Sequence, residues 1–235
     1  MNFIDIAILL VFAIAIMGGI YRGFVDALLN LGATVLSLVV SFLVSPFVSN
    51  GIKSNEFLYN QLLYYTEGSE YVATTNVELT RVPVSQISSE QLKTVIENAD
   101  MPIPMGRSIT KNVAAEVFAR QDITTLGDYF NQTIVAIVTN IVSILLVFLV
   151  LRLILGLVIR SIEYGRHGFP ALTKNDALLG VGIGFIEGIL ILFVIFMVLP
   201  IVLTVLPKIY DYVSDSVFGD FFYRANFLLY LVPTT

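Results

Sequence analysis

The chain has 235 residues, 57% of them hydrophobic and 13% charged, with a mean hydropathy of +0.86. That composition does not make a water-soluble surface; it belongs in a bilayer. Thirteen basic residues against 18 acidic ones give a net charge of −5, which supplies no basic field and excludes nucleic acid as a principal partner. Cysteine is absent and His167 is the one histidine, so thiolate chemistry and the usual zinc ligand sets are excluded, and no metal or cofactor is expected.

A helix needs about 20 apolar residues to cross roughly 30 Å of hydrocarbon. Four stretches qualify: residues 3–20, 24–48, 130–159 and 177–206. The first carries Asp5 and lacks a basic leader, and its small residues Ala13 and Ala15 lie inside the apolar run, so it reads as a retained span rather than a cleaved signal. Only Tyr21, Arg22 and Gly23 separate the first two stretches, which makes residues 1–48 a tight transmembrane hairpin.

Residues 49–129 form a long segment with short helical signals. Leu58, Leu62 and Tyr65 share a face, and Ser88 with Gln91 has capping-box spacing, opening a helix through about Asn98. Pro102, Pro104 and Gly106 then break the chain before a helical stretch over 108–120. These stripes suit a small helical cap without a large core of its own. Residues 130–206 make the second hairpin. In the tail, 207–235, Asp211, Asp215, Asp220 and Arg224 fall on one side and Val213, Val217, Phe218, Phe221 and Leu228 on the other, which describes an interfacial amphipathic helix interrupted near Gly219.

Arg22 occupies the first short turn, and Arg160, Arg166 and Lys174 flank or occupy the second. The positive-inside bias, counted over short loops, places both turns in the cytoplasm. Both termini and the 49–129 segment are then expected outside.

Within the spans, polar residues carry the information. Asp26, Asn30, Thr34, Ser37, Ser41 and Ser45 recur every three or four residues along the second span and trace one helical face. Such a stripe either lines water or packs on another helix. On the fourth span Gly180, Gly184 and Gly188 clear one face for close approach of a helix, intramolecular or in a second copy. Glu187 and Arg152 lie roughly 15 and 12 Å from the cytoplasmic ends of their spans at helical rise, so an intramembrane ion pair is expected. Arg22 and Asp26, one turn apart, suit a local pair, and Asp5 near the outer edge suits hydration.

No catalytic constellation emerges. A serine nucleophile would need a base that His167, in a Gly-rich turn, is poorly placed to supply, and Asp5 and Glu187 lie at different depths.

Asp5, then Arg22-Gly23-Phe24 with Asp26 close behind, and later Asp176 followed by Gly180, Gly184 and Gly188, together resemble the colicin V production protein family of bacterial inner-membrane proteins. The likeness covers the two span pairs; the long segment reads as an insertion. Family members often carry arginine after the aspartate and before the last glycine, where this chain has Ala177 and Glu187. No role of those arginines carries over. The resemblance implies a multi-span protein of toxin export or envelope function.

These observations lead to an all-α, polytopic, four-span protein of the bacterial cytoplasmic membrane with an extracytoplasmic helical insertion. The expected function is non-enzymatic, acting by helix packing and assembly. Its partners are the lipid bilayer and either further copies or other membrane proteins. The rival is a small channel or transporter lined by the stripe of the second span.

Overall fold

A computed structural model describes residues 2–99, 101–165 and 174–235. Its α-helices are α1 (Phe3–Lys53), α2 (Glu56–Thr66), α3 (Ser69–Ala73), α4 (Ser89–Asn98), α5 (Met105–Ala114), α6 (Leu126–Gly165), α7 (Lys174–Phe196), α8 (Leu199–Val205), α9 (Ile209–Ser214), α10 (Val217–Arg224) and α11 (Phe227–Leu231). Among the described residues no strand forms, and an isolated antiparallel bridge joins Pro83 to Thr125. Three helical stretches, Phe3–Lys53, Leu126–Ser161 and Asn175–Val205, are long and apolar enough to cross a membrane. Arg166 and His167 lie outside the described residues.

The chain divides into two units. The first comprises Met1–Pro46, Ser143–Met197 and Tyr210–Asn226. Fifty-one residues of α1 would extend about 77 Å if straight, more than twice the hydrocarbon thickness. Gly23 interrupts it, with φ 74° and ψ 179°, a conformation open to glycine and strained for other residues. Contacts along α7 show what this break does. Before it, Phe12, Ala15 and Gly19 meet Gly188, Gly184 and Gly180 in reverse order. After it, Phe24 meets Asp176 and Thr34 meets Glu187, in the same order as α7. The chain therefore doubles back at Gly23.

The tail differs from the single interrupted helix expected. It forms three short helices, and the first break falls at Asp215 and Ser216; Gly219 lies buried inside α10. Of the expected apolar face, Val213 and Leu228 are buried. Phe222 packs against Phe12, Phe193 and Phe196 at ring-centroid distances of 6.0, 5.4 and 5.9 Å, while Val217, Phe218 and Phe221 are exposed. The phase of α10 is set by Ser216, whose hydroxyl accepts from the Gly219 amide at 2.9 Å and caps the helix.

The second unit comprises Phe47–Val142, Val198–Ile209 and Phe227–Thr235. Its core is shared between α6 and the shorter helices of the 49–129 segment. Leu126, Tyr129, Phe130, Ile134, Ile137 and Ile141 of α6 are fully buried, together with Val72, Val95, Met105 and Ile109 from the shorter helices. Full burial of such side chains contributes about 1.5–3 kcal/mol each relative to exposure. The core forms where the first half of α6, expected as the start of a span, meets α2, α3 and α5: Tyr59 donates to Gln132, the Ser69 amide to Asn131 and Asn112 to Thr133.

Local signals behave unevenly. The capping box on α4 forms, with Ser88 Oγ accepting from the Gln91 amide at 3.1 Å and Gln91 Oε1 from the Ser88 amide at 3.0 Å. The helix expected over 108–120 begins earlier, with Pro104 at its N-cap and Gly106 inside, and stops at Ala114. Glu116 then adopts a positive φ of 45°. The stretch expected as one span over 177–206 is interrupted between α7 and α8, where Pro200 opens the new helix.

Candidate functional site

The densest polar constellation lies within the apolar helices of the first unit. Glu187 on α7 is 5% exposed. Its Oε1 accepts from Arg152 Nη2 of α6 at 3.1 Å and from Thr34 Oγ of α1 at 3.3 Å. Arg152 Nη2 also donates to Asn30 Oδ1 at 3.2 Å. Arg22 reaches the other carboxylate oxygen, with Nη1 4.0 Å from Oε2, and so also faces α7. Three helices thus meet on one carboxylate.

The stripe of α1 supplies two of these partners. Asn30, Thr34, Ser37, Ser41 and Ser45 are buried, and Asp26 is half-buried. Asn30 also donates to the Asp26 carbonyl at 2.9 Å, and the single Thr34 hydroxyl proton is shared between the Asn30 carbonyl, at 3.0 Å, and Glu187. Ser41 and Ser45 donate back to Leu38 and Phe42 of their own helix, at 2.7 and 3.2 Å. Among the described residues Ser37 Oγ is buried with no hydrogen-bond partner.

The glycines of α7 meet the small residues of α1. A side chain on Gly184 would put its Cβ 2.5 Å from the Ala15 carbonyl oxygen, and one on Gly180 or Gly19 would collide with the other's carbonyl. At Gly188 the nearest atom is Phe12 Cδ1, at 3.1 Å. By contrast a Cβ on Gly182 meets nothing within 4 Å. The helix accepting this face is intramolecular, and Ala15-x-x-x-Gly19-x-x-x-Gly23 is the small-residue spacing in α1 that sequence reading passed over.

Two carboxylates act as anchors. Asp176 Oδ1 accepts the Phe24 amide at 3.0 Å, satisfying a helix-start donor after the Gly23 break. Asp5 is fully buried rather than hydrated at an edge. It accepts from Ser216 Oγ at 2.6 Å, from the Phe218 amide at 3.1 Å and from the Asn2 amide at 2.9 Å. Its position at the first turn of α10 is where a helix favours an anion. The Asp5 partner could not be found by spacing, since Ser216 lies 211 residues away.

Of the residues that carried the resemblance, Asp5, Arg22, Gly23, Phe24, Asp176 and the three glycines sit at contacts that join α1, α7 and α10. The model of the colicin V production protein family matches residues 4–74 and 107–226. The chain belongs to that family. The internal unmatched stretch, 75–106, is narrower than the insertion read from sequence, and α2, α3 and most of α5 lie in matched residues. No curated protein and no solved structure matches the chain. As a family member with three apolar helices of membrane-crossing length, it is a membrane protein.

Proposed function

We propose that this colicin V production family protein is a four-crossing, non-enzymatic component of the bacterial cytoplasmic membrane in toxin production, whose intramembrane charges hold the helices together. The doubling-back at Gly23 supports counting α1 as two crossings. Arg22 and Arg160 beside the two short turns support a cytoplasmic placing of those turns, with both termini and the 54–125 connection outside. In α6 the crossing stretch is the more exposed apolar part, residues 142–159, which spans about 27 Å.

The observation that carries the structural role is the simultaneous grip of Arg152 and Thr34 on one Glu187 oxygen. A buried pair of this kind can be replaced as a unit by apolar residues at little cost in stability, whereas loss of one partner strands the other. Toxin released by cells whose only copy is Arg152→Met/Glu187→Leu should equal that of the unaltered protein, and Glu187→Leu alone should reduce both toxin and membrane protein level. A double variant that accumulates normally yet releases no toxin would show that the charges do chemistry or conduct.

The channel or transporter reading has one observation on its side, the unpartnered hydroxyl of Ser37. Purified protein in proteoliposomes separates the two: solute or ion flux that falls with Asp26→Asn favours conduction.

A further inference from the structure

In the second unit a cavity of about 330 Å³ opens between α5 and the segment from Leu229 to Thr234. It is large enough for a small polar head, at the lower end of ligand-pocket sizes. Arg107, Ser108 and Lys111 line one wall, and Tyr230 and Leu231 stand on the other. The chain is acidic overall, yet no Asp or Glu occurs in residues 101–115 or 225–235, from which both walls are built.

The cavity is a constructed feature rather than a gap beside a loose end. Asn112, 1% exposed, donates to the Thr234 carbonyl at 2.9 Å and accepts from its hydroxyl at 3.2 Å. Asn140, 3% exposed, donates to the Pro233 and Thr235 carbonyls at 2.9 and 3.3 Å, and its own oxygen accepts from Ser49 at 2.5 Å. Two buried amides therefore hold the second wall in place. The Arg107 guanidinium lies 5.7 Å from the Tyr230 ring centroid, within cation–π distance, which draws the head of the side chain toward the tail. Among the described residues neither Arg107 nor Lys111 has a carboxylate partner.

We infer that this cavity binds a phosphate group, held by the fork of Arg107 and the point charge of Lys111. Arginine pairs with phosphate through two parallel N–H donors, and lysine one turn on adds a second cation without a competing acid. Exposed Tyr230 and Leu231 at the rim can take the glycerol and first methylenes of a phospholipid.

The test uses the full chain in neutral detergent, titrated with short-chain phosphatidylglycerol and, separately, inorganic phosphate. Saturable binding of either supports the site. Phosphatidylglycerol binding about tenfold tighter or more identifies a lipid headgroup, and equal affinity identifies free phosphate. Arg107→Gln/Lys111→Gln should weaken binding by about tenfold or more, as expected for loss of charged hydrogen bonds. Arg107→Lys, which keeps the charge, should weaken it less, and Lys93→Gln on α4 should leave it unchanged. Absence of saturable binding, or equal binding by the double variant and the Lys93 variant, would overturn the inference.

Discussion

Glu187 offers the sharpest test at the scale of single residues. Replacing it by Gln leaves Arg152, whose side chain is 25% exposed, without its anion among apolar helices. Loss of one partner from a buried pair costs about 3–5 kcal/mol, and the partial exposure of Arg152 puts the expectation at about 3 kcal/mol or below. Unfolding in mixed detergent checks this, and a cycle with Thr34→Val should show coupling between the two positions. Asp5 gives an independent case. Asp5→Ala and Ser216→Ala should each destabilise by about 1–3 kcal/mol, and the double variant by clearly less than their sum, because both remove one hydrogen bond. Additive losses would mean that the tail is held by other contacts. These charges were legible from sequence because ionised groups in apolar runs are expensive and stand out. Their polar partners were harder to find. Thr34 and Asn30 were visible as a stripe, yet which of them meets Arg152 or Glu187 depends on helix rotation and crossing, which periodicity alone leaves open.

At the scale of elements, α1 and α7 approach through glycine. Alanine at Gly180 or Gly184 places a methyl against a backbone oxygen, which cannot move as a flexible side chain can, so a loss of about 1–3 kcal/mol is expected from overpacking. Gly182→Ala is the internal control: its added methyl meets nothing within 4 Å, and alanine favours helix, so the melting temperature should hold or rise. Equal losses at all three positions would remove the packing account. The polar face of α1 is tested separately. If it is dry, cysteines at Thr34, Ser37, Ser41 and Ser45 should resist small polar thiol reagents as fully as those at Leu36, Val40 and Val44. Reaction along the whole stripe and not at the apolar positions would mark a wet pathway. Element lengths were the part least legible in the sequence. Helix α6 runs from Leu126 to Gly165 with its first half buried against α2, α3 and α5, and an apolar run buried in protein reads the same as one facing lipid.

For the molecule as a whole, topology is open to direct measurement because the chain has no cysteine to give background. Single cysteines at the exposed positions Ser54, Ser89 and Ser214 should react with an impermeant reagent added outside intact cells. Reaction only after the cytoplasmic side is opened would overturn the four-crossing orientation. The long-range anchor at Asp5 adds a constraint on synthesis. Ribosomes extend chains at about 5–20 residues per second, so the 211 residues between Asp5 and Ser216 take about 10–40 s to make. During that interval the first hairpin has already met the membrane with its carboxylate lacking the donors that later bury it. Nascent chains stalled before Ser216 should therefore hold the start of α1 less firmly than released ones, leaving it open to quality-control proteases until the tail arrives.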